Sequence, residues 1–327
     1  MRLAVVYNLS KKLVVGRPED LVADHDMEYV PQIVAEELTA LGHDVQLIEA
    51  NWQLLDRIAD AAPDLVVNLA DSFAETNAHD YLATCVLEFA GIPYTGSDPF
   101  NLITLRDKVY TKDILRSHGF PMASHKLIAR PDDAAEGLRY PVILKPVRED
   151  GSFGIFYDSV IRSSEDLREQ VDYLFKAYRQ PLLAEEFVVG REFSVPVVGN
   201  DKPYALRPLE FRFPDADPLK AFRAFEKKWY PGTEVMLPAS DIDNGLIDEM
   251  KSLAVRAHKI LRCRDYSRAD FRVGTDGSVC FLEHNANPGI GPNLAGHENN
   301  TMSAEFQGMD YRKFLQTLLD VALERYR

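Results

Sequence analysis

The first hundred residues switch repeatedly between two hydrophobic periods, and this alternation limits the possible folds most. "RLAVVYN" is a short apolar run, and "MEYVPQIVAEELTALGH" repeats its apolar residues at helical spacing up to Gly42. "DVQLIEA" and "DLVVNLA" are two more strand-like runs, with the helical "NWQLLDRIADAAP" between them. "HDYLATCVLEFAG" is again helical, and "IPYTGSD" returns as strand and turn. Strands that alternate with helices at this interval predict a parallel sheet with crossover helices. No GxGxxG follows the first strand, so a dinucleotide fold is not indicated.

Beyond residue 105 the texture changes. "LRDKVYTKDILRSHGFP" reads as one helix ended by Gly119 and Pro121, and "PVILKPV" as a strand. "REDGSFG" is a small-residue loop leading to a further strand, "IFYDSVI". "PLLAEEFVVGREFSVPVVG" predicts two strands around Gly190. "DNGLIDEMKSLAVRAHKILR" and "YRKFLQTLLDVALERY" predict long helices. With 327 residues, two or three units are expected. We divide them as 1–105, an α/β unit; 106–184, with the small-residue loop; and 185–327.

The formal net charge of −14 disfavours nonspecific nucleic-acid binding but leaves room for an anionic ligand beside a local cationic cluster. No apolar run has the length a bilayer requires. Cys85, Cys263 and Cys280 have no metal-type spacing and read as reduced core thiols of a cytoplasmic protein.

The chemistry concentrates in "RADFRVGTDGSVCFLEHNANPGIGPN". "TDGS" predicts a two-residue hairpin turn at Asp276-Gly277. That register sets Asp270 against Glu283 and Arg268 against Asn285 on one face, with Ala269, Phe271, Val273, Cys280, Leu282 and His284 on the core face. Facing carboxylates repel. A hard divalent cation relieves that repulsion, so Asp270, Glu283 and Asn285 form a candidate Mg²⁺ ligand set. A solvated face with a routine Arg–Asp pair is the plainer reading of the same residues. Arg268 would balance developing negative charge, and the bend at Pro288-Gly289 could aim the Gly289 N–H at a reacting oxygen.

A second cluster is cationic. Lys108 and Lys145 precede the loop containing Gly151, Ser152 and Gly154, an arrangement suited to polyphosphate. Glu185, Glu186 and Glu192 lie between apolar residues and could accept from an adenine amino group or a ribose hydroxyl; edge-strand charges are the alternative.

Taken together, from about residue 64 to the end, these segments resemble the ATP-grasp superfamily and, within it, the D-alanine–D-alanine ligase family. "PVILKPVREDGSFGI" is similar to its phosphate loop, "LLAEEFVVGREFSV" to its nucleotide strand, and "RADFRV…FLEHNANPG" to its metal and oxyanion segment. The resemblance implies an ATP-grasp fold, α/β and α+β, with an N-terminal parallel-sheet domain. It implies ATP held at Lys108 and Lys145, adenine at Glu185 or Glu186 with the Phe187 and Val188 backbones, and ribose at Glu192. It further implies two Mg²⁺ ions (Mn²⁺ being an alternative) on Asp270, Glu283 and Asn285. "FEKKW" is similar to the family's loop over the active site, making Lys228 a γ-phosphate contact. Arg268 and the Gly289 N–H would hold the oxyanion. The family's reaction joins a small-molecule carboxylate and an amine through an acylphosphate, and a homodimer is the family's usual assembly.

Three departures fall at the substrate positions. "YNLSKKLVVGRPEDL" lacks the family's glycine-rich turn with a serine and a glutamate, leaving Glu19 or Asp20 as substitutes. Trp229 replaces the lid tyrosine. Asn293 stands near the place of a carboxylate-reading serine. His79, near the expected cleft, is a further substrate candidate. The expectation is an amide-forming ligase whose substrates are not two plain D-alanines. Genuine D-alanine–D-alanine ligation, another ATP-grasp outcome such as carboxylation, and a noncatalytic ATP-binding regulator are the alternatives.

Overall fold

A computed structural model describes residues 1–20, 28–133, 137–230, 233–294 and 298–326. Near the N-terminus, β1 (Arg2–Tyr7), β2 (Asp44–Glu49) and β3 (Leu65–Asn68) form a parallel sheet in the order β2-β1-β3, as the alternating periods predict. Helices α1 (Val30–Ala40), α2 (Leu54–Ala61) and α3 (Tyr81–Ala90) supply the crossovers. "IPYTGSD" contributes only an isolated bridge, Val66 to Tyr94.

The single helix expected over "LRDKVYTKDILRSHG" is instead two: α4 (Pro99–Arg106) and α5 (Lys108–Ser117). Asp107 breaks it by adopting extended backbone (φ −86°, ψ 100°), and its carboxylate accepts from the Tyr110 N–H as an N-cap. A capping carboxylate competes with helix continuation, which apolar spacing alone does not register. The expected unit boundary at 105/106 therefore falls inside α4.

Next come β4 (His125–Ile128), β5 (Val142–Pro146), β6 (Val160–Ile161), helix α6 (Ser164–Tyr178) and β7 (Leu182–Glu186). Their antiparallel sheet runs β4-β7-β5-β6. The strand expected over "IFYDSVI" shrinks to the two residues of β6, and β7 crosses the other expected boundary at 184/185.

The third sheet is antiparallel, in the order β11-β10-β8-β12-β13 with β9 on β8. Its strands are β8 (Gly190–Val198), β9 (Tyr204–Ala205), β10 (Leu209–Arg212), β11 (Val235–Pro238), β12 (Tyr266–Gly274) and β13 (Val279–Asn285). A short helix, α7 (Phe225–Trp229), precedes β11. Helix α8 (Asn244–Ile260) covers one face, where Phe193, Val195, Ala269, Phe271 and Phe281 meet Met250, Leu253 and Ala257 in a buried cluster. Helices α9 (Asn299–Phe306) and α10 (Tyr311–Glu324) end the chain and pack Phe314, Leu318 and Leu319 against the N-terminal sheet. The expected α/β and α+β fold with a parallel N-terminal sheet is thus present, and the rest of the described chain builds two antiparallel sheets.

Candidate functional site

The β12–β13 hairpin corrects the expected turn yet keeps the expected pairing. Its loop has three residues, Thr275 to Gly277, closed by the Gly274 N–H donating to Ser278 O at 2.8 Å. Gly277 takes the left-handed conformation (φ 81°) that such a loop requires. This moves the register by one residue, so Val279 and Phe281 replace Cys280 and Leu282 on the core face. Leu282 is then the extra residue of a β-bulge, which moves the register back. Beyond it Asp270 pairs with Glu283 and Arg268 with Asn285. Two deviations cancel at the site.

On the cavity-facing side, β8 sets Ser194 opposite Asp270 and Glu192 opposite Arg272. Arg268 donates to both Asp270 oxygens, Nε to Oδ1 at 3.0 Å and Nη2 to Oδ2 at 3.0 Å. The Ser194 hydroxyl donates to Asp270 Oδ1 at 2.8 Å. Glu283 meets the buried Lys108 at 3.3 Å, and Lys108 also donates to Glu149 O at 2.6 Å. Burial raises the Glu283 carboxyl's pKa, but Lys108, Lys145 and Arg268 outweigh it and hold it at about 2. The two carboxylates and the Asn285 amide are hard oxygen donors on adjoining strands, and Glu283 stays ionised. That chemistry fits a divalent cation.

Lys145, Glu185 and Lys112 form a buried triad. Glu185 accepts from Lys112 at 2.6 Å and from Lys145 at 3.0 Å. Burial pushes its carboxyl up, yet the two ammonium groups hold it at about 2. Glu186 is tied to Arg139 at 2.8 Å, and the Phe187 N–H already donates to Pro141 O. Glu192 receives Arg272 at 3.0 Å.

Lys108, Lys145, Glu185, Glu192, Asp270 and Glu283 line a solvent-open cleft of roughly 850 Å³, with Ile143, Phe187, Val188 and Phe222 as its apolar wall and Gly151 and Ser152 also in its lining. Gly154 stands outside this lining. Its φ of 73° and its approach to Pro146, where a Cβ would lie 2.3 Å from Cγ, make it a packing glycine.

Two further chambers adjoin, of roughly 1090 and 910 Å³. Lys228, Arg268, Trp229 and Gly289 border both. The first also contains Asp71, Asn77, Asp80 and Arg106; the second contains Val30, Asn68, Tyr266, Glu298 and Asn299. Burial, with Arg223 and Arg268 nearby, lowers Lys228 to about 8. The Trp229 indole donates to Gly151 O at 2.9 Å, joining α7 to the small-residue loop. A Cβ on Gly289 would lie 2.5 Å from Glu298 Oε2, so a larger residue there would have to displace the Glu298 side chain.

Among the described residues, Glu19, His79 and Asn293 border none of these three spaces. Glu19 and His79 are exposed. Asp20 is buried and accepts from the Tyr178 hydroxyl at 2.8 Å. His284 faces the core, as its register position predicts. Sequence reasoning overlooked Lys112, Arg272 and Glu298. Lys112 lies one turn beyond Lys108 on α5, and Arg272 continues the period-two series of Arg268 and Asp270. Glu298 had no comparable signal.

Comparison with known proteins agrees with this arrangement. The family model "D-ala D-ala ligase C-terminus" matches residues 113–320. A D-alanine–D-alanine ligase of Erythrobacter litoralis is 32% identical over 90% of this chain and 87% of its own. An uncharacterised protein of Sinorhizobium fredii, y4sG, is 29% identical over 100% of this chain and 98% of its own. The crystal structure of a Bacillus anthracis D-alanine–D-alanine ligase complexed with ATP superposes with a TM-score of 0.75 at 19% identity, covering 99% of this chain and 98% of that one. The Enterococcus faecalis VanG D-Ala:D-Ser ligase gives 0.74 at 18%, covering 98% and 100%. At these identities the two structures speak to the fold.

Proposed function

Since the chain belongs to the D-alanine–D-alanine ligase-like family of ATP-grasp enzymes, ATP-dependent ligases that form carbon–nitrogen bonds, we propose that it joins a carboxylate and an amine other than two plain D-alanines. One observation carries the catalytic part of this reading. The hairpin brings Arg268, Asp270, Glu283 and Asn285 onto one face, bordered by Lys108, Lys145 and Lys228.

In this reading the triphosphate of ATP lies along Lys108, Lys145 and Lys228, and the N–H groups of the loop at Gly151 and Ser152 donate to it. The base rests between Ile143, Phe187 and Phe222, beside the Val188 backbone. The Phe187 N–H is committed to Pro141, which leaves its carbonyl to meet the base, and Glu185, which accepts one bond from a lysine on each oxygen, still lines the cleft beside it. Glu192 accepts from a ribose hydroxyl. Mg²⁺ on Asp270, Glu283 and Asn285 would neutralise phosphate charge. A carboxylate oxygen of the first substrate attacks the γ-phosphorus, and ADP leaves. The amine nitrogen then attacks the acyl carbon. Inorganic phosphate departs, the C–N bond remains and the nitrogen loses a proton. Arg268 and the Gly289 N–H face the oxygen that becomes anionic. Positioning and charge neutralisation suffice, with no protein nucleophile.

The substrate part rests on the two chambers. Glu298 stands against Gly289 and borders the second chamber, so its carboxyl group is part of what that chamber presents to a substrate. Trp229 contributes no hydroxyl. Cytoplasmic placement with reduced cysteines belongs to the same reading. ADP release with Mg²⁺ and a panel of carboxylate–amine pairs tests it. A non-D-alanine pair should exceed the D-alanine pair in kcat/KM by at least about tenfold, a difference of about 1.4 kcal/mol. D-alanine as the best pair would defeat the substrate claim, and no turnover with tight ATP binding would defeat the enzymatic one.

A further inference from the structure

Beneath the catalytic hairpin, on its core side, His258, Cys263 and His284 bring one ligand atom each to within 4.8 Å of one another, and all three are buried. The local backbone explains the approach. Helix α8 ends just after His258, Arg262 takes the left-handed conformation (φ 56°), and the Cys263 N–H donates back to His258 O at 3.0 Å. The thiol is thereby folded beneath the imidazole. His284 enters from β13, opposite Ala269, whose small side chain leaves room for it.

The polar accounting around these side chains is incomplete. His284 is 3% exposed, and neither of its ring nitrogens has a hydrogen-bond partner. His258 Nδ1 lies 2.7 Å from the Ser267 hydroxyl, and the ring also meets the Gly199 backbone. The Cys263 thiol meets the Ser267 and Asn101 side chains, and Asn101 Oδ1 is buried without a partner. Buried polar atoms are nearly always paired, so an imidazole with both nitrogens unpaired, facing a second imidazole and a thiol, calls for a missing partner. Two imidazoles and a thiol are soft-to-borderline ligands, unlike the oxygen donors of the cleft.

We propose that His258, Cys263 and His284 hold a late transition-metal ion of the zinc or copper(I) class, with the Asn101 side chain beside Cys263. Zn²⁺ would bring the three ligand atoms, which lie within 4.8 Å of one another, to separations of roughly 3.3–3.6 Å, given bond lengths of about 2.0–2.3 Å. Cys263 binds as thiolate, its proton passing to solvent, and no redox change is involved. The site is closed, so the ion is structural and is acquired as the chain folds. Glu283 and Asn285 flank His284 in sequence, so the ion would anchor the strand that presents them. The proposal stands independently of the substrate reading.

Elemental analysis of full-length protein without a histidine tag, grown with zinc and copper supplements, tests it. The expectation is about one equivalent of zinc or copper per chain, falling below roughly 0.1 in His284→Leu. Refolding with Co²⁺ should give a thiolate-to-cobalt charge-transfer band that Cys263→Ala lacks. Cys263→Ala, small and apolar, serves if His284→Leu does not fold. Wild-type protein that takes up neither metal on expression nor on refolding would overturn the proposal. So would full metal content in Cys263→Ala and His284→Leu, which would place the ion elsewhere.

Discussion

Glu185→Gln is the sharpest test of how the cleft is built. Glu185 is 1% exposed and bonded to Lys112 at 2.6 Å and Lys145 at 3.0 Å. Its carboxyl is held at about 2 instead of the usual 4.5, a depression worth about 3 kcal/mol of folding stability at neutral pH. Glutamine keeps the shape but leaves two buried ammonium groups without a counter-charge, a loss of about 3–5 kcal/mol. Because the folded pKa is depressed, the stabilisation is complete above the unfolded value of 4.5 and disappears as pH falls towards 2. Guanidinium denaturation at pH 7 should show Glu185→Gln less stable by about 3 kcal/mol, and the gap should narrow steadily below pH 4.5. Stability equal to wild type within about 0.5 kcal/mol at pH 7 would refute the triad.

Three further outcomes follow from the same geometry. Lys228 titrates at about 8, so kcat/KM for ATP should fall above that pH as the ammonium is lost, and Lys228→Arg should flatten this limb of the pH–rate profile. Glu283→Gln should cut Mg²⁺-dependent ADP release by more than about 100-fold while circular dichroism stays unchanged; retained activity would remove Glu283 from the metal set. Trp229→Phe loses the donor to Gly151 O, and stopped-flow nucleotide binding should show affinity reduced by about fivefold, the worth of roughly 1 kcal/mol.

The parts of the site legible in the sequence were those governed by short-range periodicity. Alternation along β12 and β13 placed Arg268, Asp270, Glu283 and Asn285 on one face. Even so, the loop has three residues where the sequence predicts two, and Leu282 adds a bulge the sequence does not predict; the pairing survives because they offset each other. A bulge is set by the whole sheet, and no local signal marks Leu282. Asp107 shows the opposite failure, in which a local cap overrides helical periodicity. Contacts across sequence were illegible. The commitment of Glu185 to two lysines joins α5, β5 and β7, and Glu298 reaches Gly289 through chain folding alone. Asn293, which the resemblance sets near the place of a carboxylate-reading serine, borders none of the three spaces, whereas Glu298 and Asn299 border the second chamber.

The central claim is that this hairpin supports amide formation through an acylphosphate. The direct measurement is isotope transfer: the fastest pair from the substrate panel, its carboxylate labelled with ¹⁸O, is turned over with ATP and Mg²⁺, and the released phosphate is analysed by mass spectrometry. The mechanism predicts one labelled oxygen in each phosphate, carried from the substrate carboxylate. Unlabelled phosphate alongside amide product would contradict it.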